Sequence, residues 1–257
     1  MNEVVVILPA YNEQENLETL TQNWQQYKDI LQDTYKLYLK ILVINDGSSD
    51  QTSIIAKRLE EQYSNFKVVS HDANKGLGEA VKTGLSYVVN NYPQCVFTCL
   101  MDCDNTHDPK YVLDMLACQK RTNVDVVIAS RYQLSSKVIG LSAIRQLTSN
   151  GACFLYSTLL KVKNVKDYTC GYRLYKIPML KKAYKKFPTT LIEETGFTCM
   201  AELLYKLSLC KATFVEIPFE LRYDLKKGVS KMKVLNTIFQ SFSLVSRLRK
   251  LEKPRRK

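Results

Sequence analysis

No stretch of this 257-residue chain is long and apolar enough to cross a bilayer. Its longest apolar runs, such as Val4–Leu8 and Cys95–Met101, fall far short of the ~20 residues a spanning helix needs. The eight cysteines contain no CxxC pair, and most sit among apolar residues, so they read as reduced core thiols in place of zinc ligands or disulfides. Met1 runs into Val4–Leu8 without a basic leader or a small-residue cleavage site, so no signal peptide is expected and the chain is assigned to the cytosol. Internal repeats and low-complexity linkers are missing too. So is an evenly spread basic charge: residues 225–257 set 11 basic residues against Glu252 alone, a net +10, which leaves +2 of the total +12 for residues 1–224. That distribution excludes a uniformly basic nucleic-acid binder. What is present is an ordinary globular composition, 46% hydrophobic and 24% charged, with ample chain for a core.

The first half alternates between aliphatic runs and helical patterns. Val4–Leu8, Leu39–Ile44, Phe66–Ser70, Val96–Met101 and Val124–Ala129 read as buried strands. Helices are expected from Glu13 to about Leu31, from a Ser48-Ser49-Asp50-Gln51 capping box to about Tyr63, over Gly78–Asn90, and from Asp108-Pro109 to about Gln119. Strands separated by helices imply βαβ crossovers, hence an α/β fold with a mostly parallel central sheet and helices on both faces. The second half predicts helices over Ser142–Lys161 and Gly196–Leu209, a loop and strand over Asp167–Lys176, and a strand over Thr213–Ile217. One domain over residues 1–224 is expected, followed by a basic extension over 225–257. There Val234, Leu235, Ile238, Phe239, Phe242, Val245 and Leu248 form the apolar stripe of an amphipathic helix, opposite Asn236, Gln240, Ser243, Arg247 and Lys250.

Ligands of such a sheet gather at the carboxyl ends of its strands. The most informative group there is Asp102-Cys103-Asp104. Two neighbouring carboxylates after a buried strand repel unless a cation lies between them, and hard ions such as Mg²⁺ or Mn²⁺ prefer oxygen ligands that a diphosphate can complete. The plainer alternative has one Asp capping the next helix and the other in water. Asp46 either opens the turn Asp46-Gly47-Ser48-Ser49 or accepts hydrogen bonds from a nucleobase or ribose. Glu13 either belongs to a first helical turn or makes a similar contact.

Taken together, Pro9-Ala10-Tyr11-Asn12-Glu13, Asn45-Asp46-Gly47-Ser48-Ser49-Asp50, Asn74-Lys75-Gly76-Leu77-Gly78, Asp102-Cys103-Asp104 and Ser130-Arg131-Tyr132 resemble the family 2 inverting glycosyltransferases of the GT-A fold. Arg145 with Ser149-Asn150-Gly151, Asp167–Arg173, Arg222 and Ser230-Lys231 are similar to the branch containing dolichyl-phosphate mannose synthase and bacterial polyprenyl-phosphate glycosyltransferases. The resemblance implies that Pro9, Tyr11, Glu13 and Asp46 line a base and ribose pocket. It implies further that Asp102 and Asp104 hold a divalent metal and the sugar diphosphate, with Thr106 where the family often has Gln or Ser as a further ligand. Arg131, Arg145 and Lys231 would bind the acceptor phosphate or the donor diphosphate, roles that suit the bidentate fork of Arg and the mobile charge of Lys. The sequence departs from the family's usual pattern at Cys170, Tyr172 and Asn105-Thr106.

The expected reaction is displacement at the anomeric carbon of a nucleotide sugar, with GDP-mannose as first candidate, by a polyprenyl or dolichyl phosphate. A phosphate monoester has its second pKa at about 6, so no strong base is required; Glu202 is the spare carboxylate if one is. The tail, ending Lys253-Pro254-Arg255-Arg256-Lys257, suits an anionic membrane surface at ~1 kcal/mol per nearby basic residue, unless its stripe packs on the domain. This places the protein peripherally on the cytosolic face of a membrane, alone or with a membrane-embedded partner subunit, and predicts no nucleic-acid partner. Two alternatives stand beside it. One is a glycosyltransferase using a UDP-sugar and a saccharide hydroxyl, which needs a further carboxylate as base. The other is a non-catalytic membrane-surface or nucleic-acid-binding protein, against which the strand-end carboxylates argue.

Overall fold

The computed structural model describes the backbone of residues 1–226 and 234–252, and their side chains apart from 143–147, 234–238 and 252. In chain order the elements are β1 (Glu3–Ala10), α1 (Leu17–Gln25), α2 (Lys28–Tyr35), β2 (Tyr38–Asn45), α3 (Thr52–Gln62), β3 (Phe66–Ser70), α4 (Leu77–Asn91), β4 (Cys95–Leu100), α5 (Tyr111–Thr122) and β5 (Val126–Ser130). The second half continues with β6 (Lys137–Ile139), α6 (Ala143–Leu159), β7 (Arg173–Lys176), α7 (Ile177–Lys186), α8 (Cys199–Leu209), β8 (Phe214–Pro218), β9 (Glu220–Arg222) and α9 (Val234–Glu252).

Seven strands form one sheet in the order β3-β2-β1-β4-β7-β5-β8, and β6 pairs with β9 beside it. All neighbours in the large sheet are parallel except β7, which runs antiparallel to both β4 and β5. Alternate strand residues point to opposite faces. Val5, Ile7, Leu42 and Ile44 face a core closed by α4, α6, α7, α8 and α9. Val4, Val6, Leu8, Ile41 and Val43 face the other, closed by α1, α2, α3 and α5. Burial on both faces is why these strands read as unbroken aliphatic runs. All eight cysteines are free, seven buried and Cys153 half-buried, as expected of core thiols. Among the described residues no helix is long and apolar enough to cross a membrane.

Several elements differ from the sequence-based expectation. The helix expected over Glu13–Leu31 is two, and residues 11–16 form a turn before it, with Asn12 in the left-handed region at φ 53°. The Ser48–Gln51 box does not cap through Ser48. Ser48 Oγ instead accepts the N–H of Asn12 at 3.0 Å, and α3 starts later, where Asp50 Oδ1 accepts the N–H of Thr52 at 2.9 Å. Neither α7 nor the β6–β9 pair was expected. The apolar stripe of α9 is split: Val245 and Leu248 join the core beside Leu244, Phe239 and Phe242 are 74% and 57% exposed, and the side chains of Val234, Leu235 and Ile238 lie outside those described.

Candidate active site

A cleft of about 510 Å³ opens over the carboxyl ends of β1, β2, β4 and β5. Pro9, Tyr11, Glu13, Asp46, Asp102, Asp104, Thr106 and Arg131 all line it. Arg145 falls within α6, but its side chain lies outside the described residues; Thr148 and Ser149, three and four positions on, line the cleft. Lys231 also lies outside the described residues.

One wall comes from the loops after β1 and β2, which are stitched to each other. Besides the Ser48 contact, Glu13 N donates to Thr52 Oγ1 at 2.8 Å and Ser49 N to Asn12 Oδ1 at 2.8 Å. Asp46 is the hub of the next loop. Its Oδ1 accepts His71 Nδ1 at 2.6 Å and Lys75 N at 2.9 Å, and its Oδ2 accepts Gly76 N at 2.8 Å. The carboxylate therefore holds the 71–76 loop against the cleft, beyond opening its own turn. Glu13 likewise does two things: its Oε2 accepts Asn16 Nδ2 at 2.7 Å at the approach to α1, and it borders the cleft.

The carboxylate pair after β4 is asymmetric. Asp104 accepts the N–H and hydroxyl of Thr106 on Oδ1, at 3.2 and 2.6 Å, and the ammonium of Lys226 on Oδ2 at 2.5 Å. Asp102 accepts no hydrogen bond from a described residue, and its Oδ1 lies where a Cβ on Gly171 would approach to 2.7 Å. Burial pushes the Asp102 carboxyl above the usual carboxylate range, with His107 opposing and Asp104 adding to the rise. Burial acts the same way at Asp104, but Lys226 and His107 outweigh it and hold that carboxyl low. Among the described residues no group of three or more His, Cys, Asp or Glu side chains is gathered to hold a metal. The donor set nevertheless fits one: two hard oxygen donors sit at the cleft, one without a hydrogen-bonding partner among the described residues, and a diphosphate or water can complete the shell. Neither Asp caps α5, so the plainer reading of the pair does not hold. Thr106 is committed to Asp104 and would have to turn to become a ligand.

Arg131 borders the cleft but is closed on Asp167. Nε and Nη2 donate to the two Asp167 oxygens at 2.8 and 2.6 Å, and Nη2 also donates to Thr169 Oγ1 at 2.5 Å. Asp167 is fully buried; although burial works against its charge, Arg131 and the Cys170 N–H hold its carboxyl below the usual range. Its loop is fastened in turn by Glu216 Oε1, which accepts the N–H groups of Lys166 and Asp167 at 2.8 and 2.6 Å. Burial pushes the Cys170 thiol up to about 12, leaving it protonated and unsuited to nucleophilic work.

The opposite wall, Thr195–Thr198, is held from behind. Glu202 Oε2 accepts the N–H groups of Glu193 and Glu194 at 2.8 Å each, and its Oε1 meets Lys206 at 2.8 Å and Arg247 of α9 at 3.0 Å. Glu202 is thus a fully buried brace that does not line the cleft, which removes it as a spare base. Arg247 also pairs with Glu194 at 2.7 Å. Gly78 N donates to Thr195 O at 2.9 Å, and a Cβ on Gly78 would fall 1.7 Å from Glu194 O, so only glycine lets α4 approach this wall. Gln240 and Ser241 bring α9 itself to the cleft, and Tyr156 OH meets Ser241 Oγ at 2.8 Å.

A model of the family described as Glycosyl transferase family 2 matches residues 5–183. The chain belongs to glycosyl transferase family 2. It is 31% identical over 250 residues to a dolichol-phosphate mannosyltransferase from Pyrococcus furiosus, a match that covers 97% of this chain and 64% of that protein's length. Its fold is that of glucosyl-3-phosphoglycerate synthase from Mycobacterium tuberculosis, solved with Mn²⁺, UDP-glucose and glycerol 3-phosphate, at a TM-score of 0.57 and 17% identity over 96% of this chain and 78% of that one. A mannosyltransferase from Pyrobaculum calidifontis, solved with GDP-mannose and Mn²⁺, aligns at a TM-score of 0.59 and 13% identity over 95% of this chain and 64% of that one. Sheet and neighbours together give a GT-A glycosyltransferase domain.

Within this glycosyltransferase domain, sequence reasoning passed over Asp167, Glu216, Lys226, Arg247 and the Thr195–Thr198 wall as site components. Asp167 stood in a quoted motif, and its spacing from Thr169 and Cys170 suits a turn-capping carboxylate. Glu216, Lys226 and Arg247 carry no local signal, because the partners named here lie 45 to 122 positions away.

Proposed function

We propose that the protein transfers a sugar, with inversion, from a nucleotide-sugar donor to the phosphate of a polyprenyl or dolichyl lipid at the cytoplasmic face of a membrane. GDP-mannose is the first donor to test. The observation that carries this reading is the convergence of Asp102 and Asp104 with Pro9, Tyr11, Glu13, Asp46 and Arg131 on one cleft. Support for mannose and the lipid phosphate comes from the Pyrococcus relative's name, and for the metal from the Mn²⁺ in two structures of the same fold.

In this mechanism Pro9, Tyr11, Glu13 and Asp46 hold the nucleoside, and the acceptor phosphate oxygen attacks the anomeric carbon as its bond to the diphosphate breaks. The leaving nucleoside diphosphate takes the bonding electrons. Mg²⁺ or Mn²⁺ bound by Asp102 and Asp104, when present, supplies charge neutralisation on that diphosphate. Arg131, with its fork fixed by Asp167, presents a preoriented positive charge, and Arg145 and Lys231 are assigned to the same phosphates. Alignment of the two reactants is the protein's larger contribution. Among the described residues the cleft's only carboxylates are Glu13, Asp46, Asp102 and Asp104, all with other work, which favours an already ionised phosphate over a saccharide hydroxyl. Exposed Phe154, Phe239 and Phe242, together with the basic tail, support peripheral attachment to an anionic membrane.

A screen of GDP-mannose, UDP-glucose and other nucleotide sugars against polyprenyl phosphate, with product analysis and with EDTA added, tests this. Expected is one preferred donor, a β-linked product from an α-linked sugar, and loss of turnover with EDTA. Transfer to saccharides but to no lipid phosphate would overturn the acceptor, and full turnover in EDTA the metal.

A further inference from the structure

The geometry points to Lys226 as a tethered counter-ion of the carboxylate pair, which occupies Asp104 until a divalent cation and the donor's diphosphate arrive together. This rests on the metal reading of Asp102 and Asp104 given above. Lys226 Nζ lies 2.5 Å from Asp104 Oδ2, and the two side chains are 20% and 12% exposed. With Thr106 on Oδ1, both oxygens of Asp104 are engaged, whereas Asp102 accepts nothing from a described residue. Among the described residues, a cation approaching the pair therefore meets one carboxylate that accepts no hydrogen bond and one already neutralised.

The position of Lys226 is built, because the segment that carries it is fastened next to the pair. Arg222 N donates to Thr106 O at 2.9 Å, two residues from Asp104. A 3₁₀ turn over Tyr223–Leu225 follows, closed by Lys226 N on Tyr223 O at 3.2 Å, and the Arg222 guanidinium grips Asp224 at 2.9 and 2.7 Å. The ammonium is thus held at high local concentration and cannot diffuse away when displaced.

A group that closes a site part of the time weakens apparent affinity by the fraction of time the site is open. Metal alone must expel the ammonium into a cleft with no new anion to receive it. Metal with a nucleoside diphosphate offers phosphate oxygens to the same Lys226, so the two ligands favour each other's binding. Lys226 would then keep Asp104 neutralised between turnovers and join the charges facing the leaving diphosphate during one.

The test is a Mn²⁺ titration followed by the electron-spin signal of the free ion, with and without GDP or UDP, on the wild type, Lys226→Met, Lys226→Gln and Lys226→Arg, each checked by its melting curve. Both neutral variants are expected to bind Mn²⁺ alone about fivefold tighter or better, a typical coupling between sites, and to gain less from nucleotide, while the Arg variant stays near wild type. Unchanged Mn²⁺ affinity in the neutral variants, with nucleotide still tightening it in all four, would overturn the counter-ion role and leave the metal reading standing. No Mn²⁺ binding by any protein under any condition would remove both.

Discussion

Arg131 and Asp167 meet through three N–H···O contacts, the backbone N to Oδ2 at 3.0 Å, Nε to Oδ2 at 2.8 Å and Nη2 to Oδ1 at 2.6 Å, at the side of the cleft. Removing one member of a buried pair costs more than the pair contributes, since the other charge stays buried. Asp167→Asn is expected to destabilise the protein by about 3 kcal/mol or more, on the order of a 10 °C fall in melting temperature for a chain of this size. The sign of the pH dependence follows from the depressed Asp167 carboxyl. Its stabilisation is fully present above the unfolded carboxylate value of ~3.9 and is lost as pH falls through the lower folded value. Melting curves from pH 7 to pH 3 should show the gap between variant and wild type closing below about pH 4; equal melting temperatures at pH 7 would refute the clamp.

Gly171 leaves room for the open carboxylate. A methyl group there would stand 2.7 Å from Asp102 Oδ1, and the end of a side chain yields more easily than backbone. Gly171→Ala should therefore melt near wild type yet lose tenfold or more in Mn²⁺ affinity and turnover, about 1.4 kcal/mol. Wild-type Mn²⁺ affinity in the folded variant would show that Asp102 is not placed by this contact.

The split stripe of α9 separates two jobs that one substitution series can tell apart. Leu248 is fully buried, so Leu248→Ala should cost about 2–5 kcal/mol. Phe239→Ser with Phe242→Ser should leave the melting temperature unchanged and reduce sedimentation with anionic liposomes. Undiminished sedimentation of the double variant would make the exposed aromatics incidental to membrane attachment.

The sequence was legible where one residue type does one job. Val4–Leu8 and Leu39–Ile44 are buried on both faces and contain little but aliphatics, so the parallel half of the sheet could be read from them. Strand β7 fell within the loop and strand expected over Asp167–Lys176, but its antiparallel place was not legible, nor was its fully buried Arg173, whose guanidinium reaches Met200 O and Tyr168 O at 2.9 and 2.7 Å, partners no local pattern reveals. The Ser48–Gln51 segment was read in part: a helix does follow it, opened by Asp50 on the N–H of Thr52, but the Ser48 hydroxyl is taken by Asn12 of the neighbouring loop. At the site, the strand-end motifs located the cleft residues on the β1, β2, β4 and β5 edge. The wall opposite them depends on contacts between Gly78, Glu194, Glu202 and Arg247, which exist only once the chain has folded.

The last of those contacts bears on how the protein is made. Gln240 and Ser241 border the cleft and Leu244, Val245 and Leu248 seal the core beneath them, although the cleft's first lining residue is Pro9. A nascent chain halted before these residues leave the ribosome holds every carboxylate of the site yet lacks one of its walls. Competence then depends on a helix far along the chain settling beside residues translated well before it.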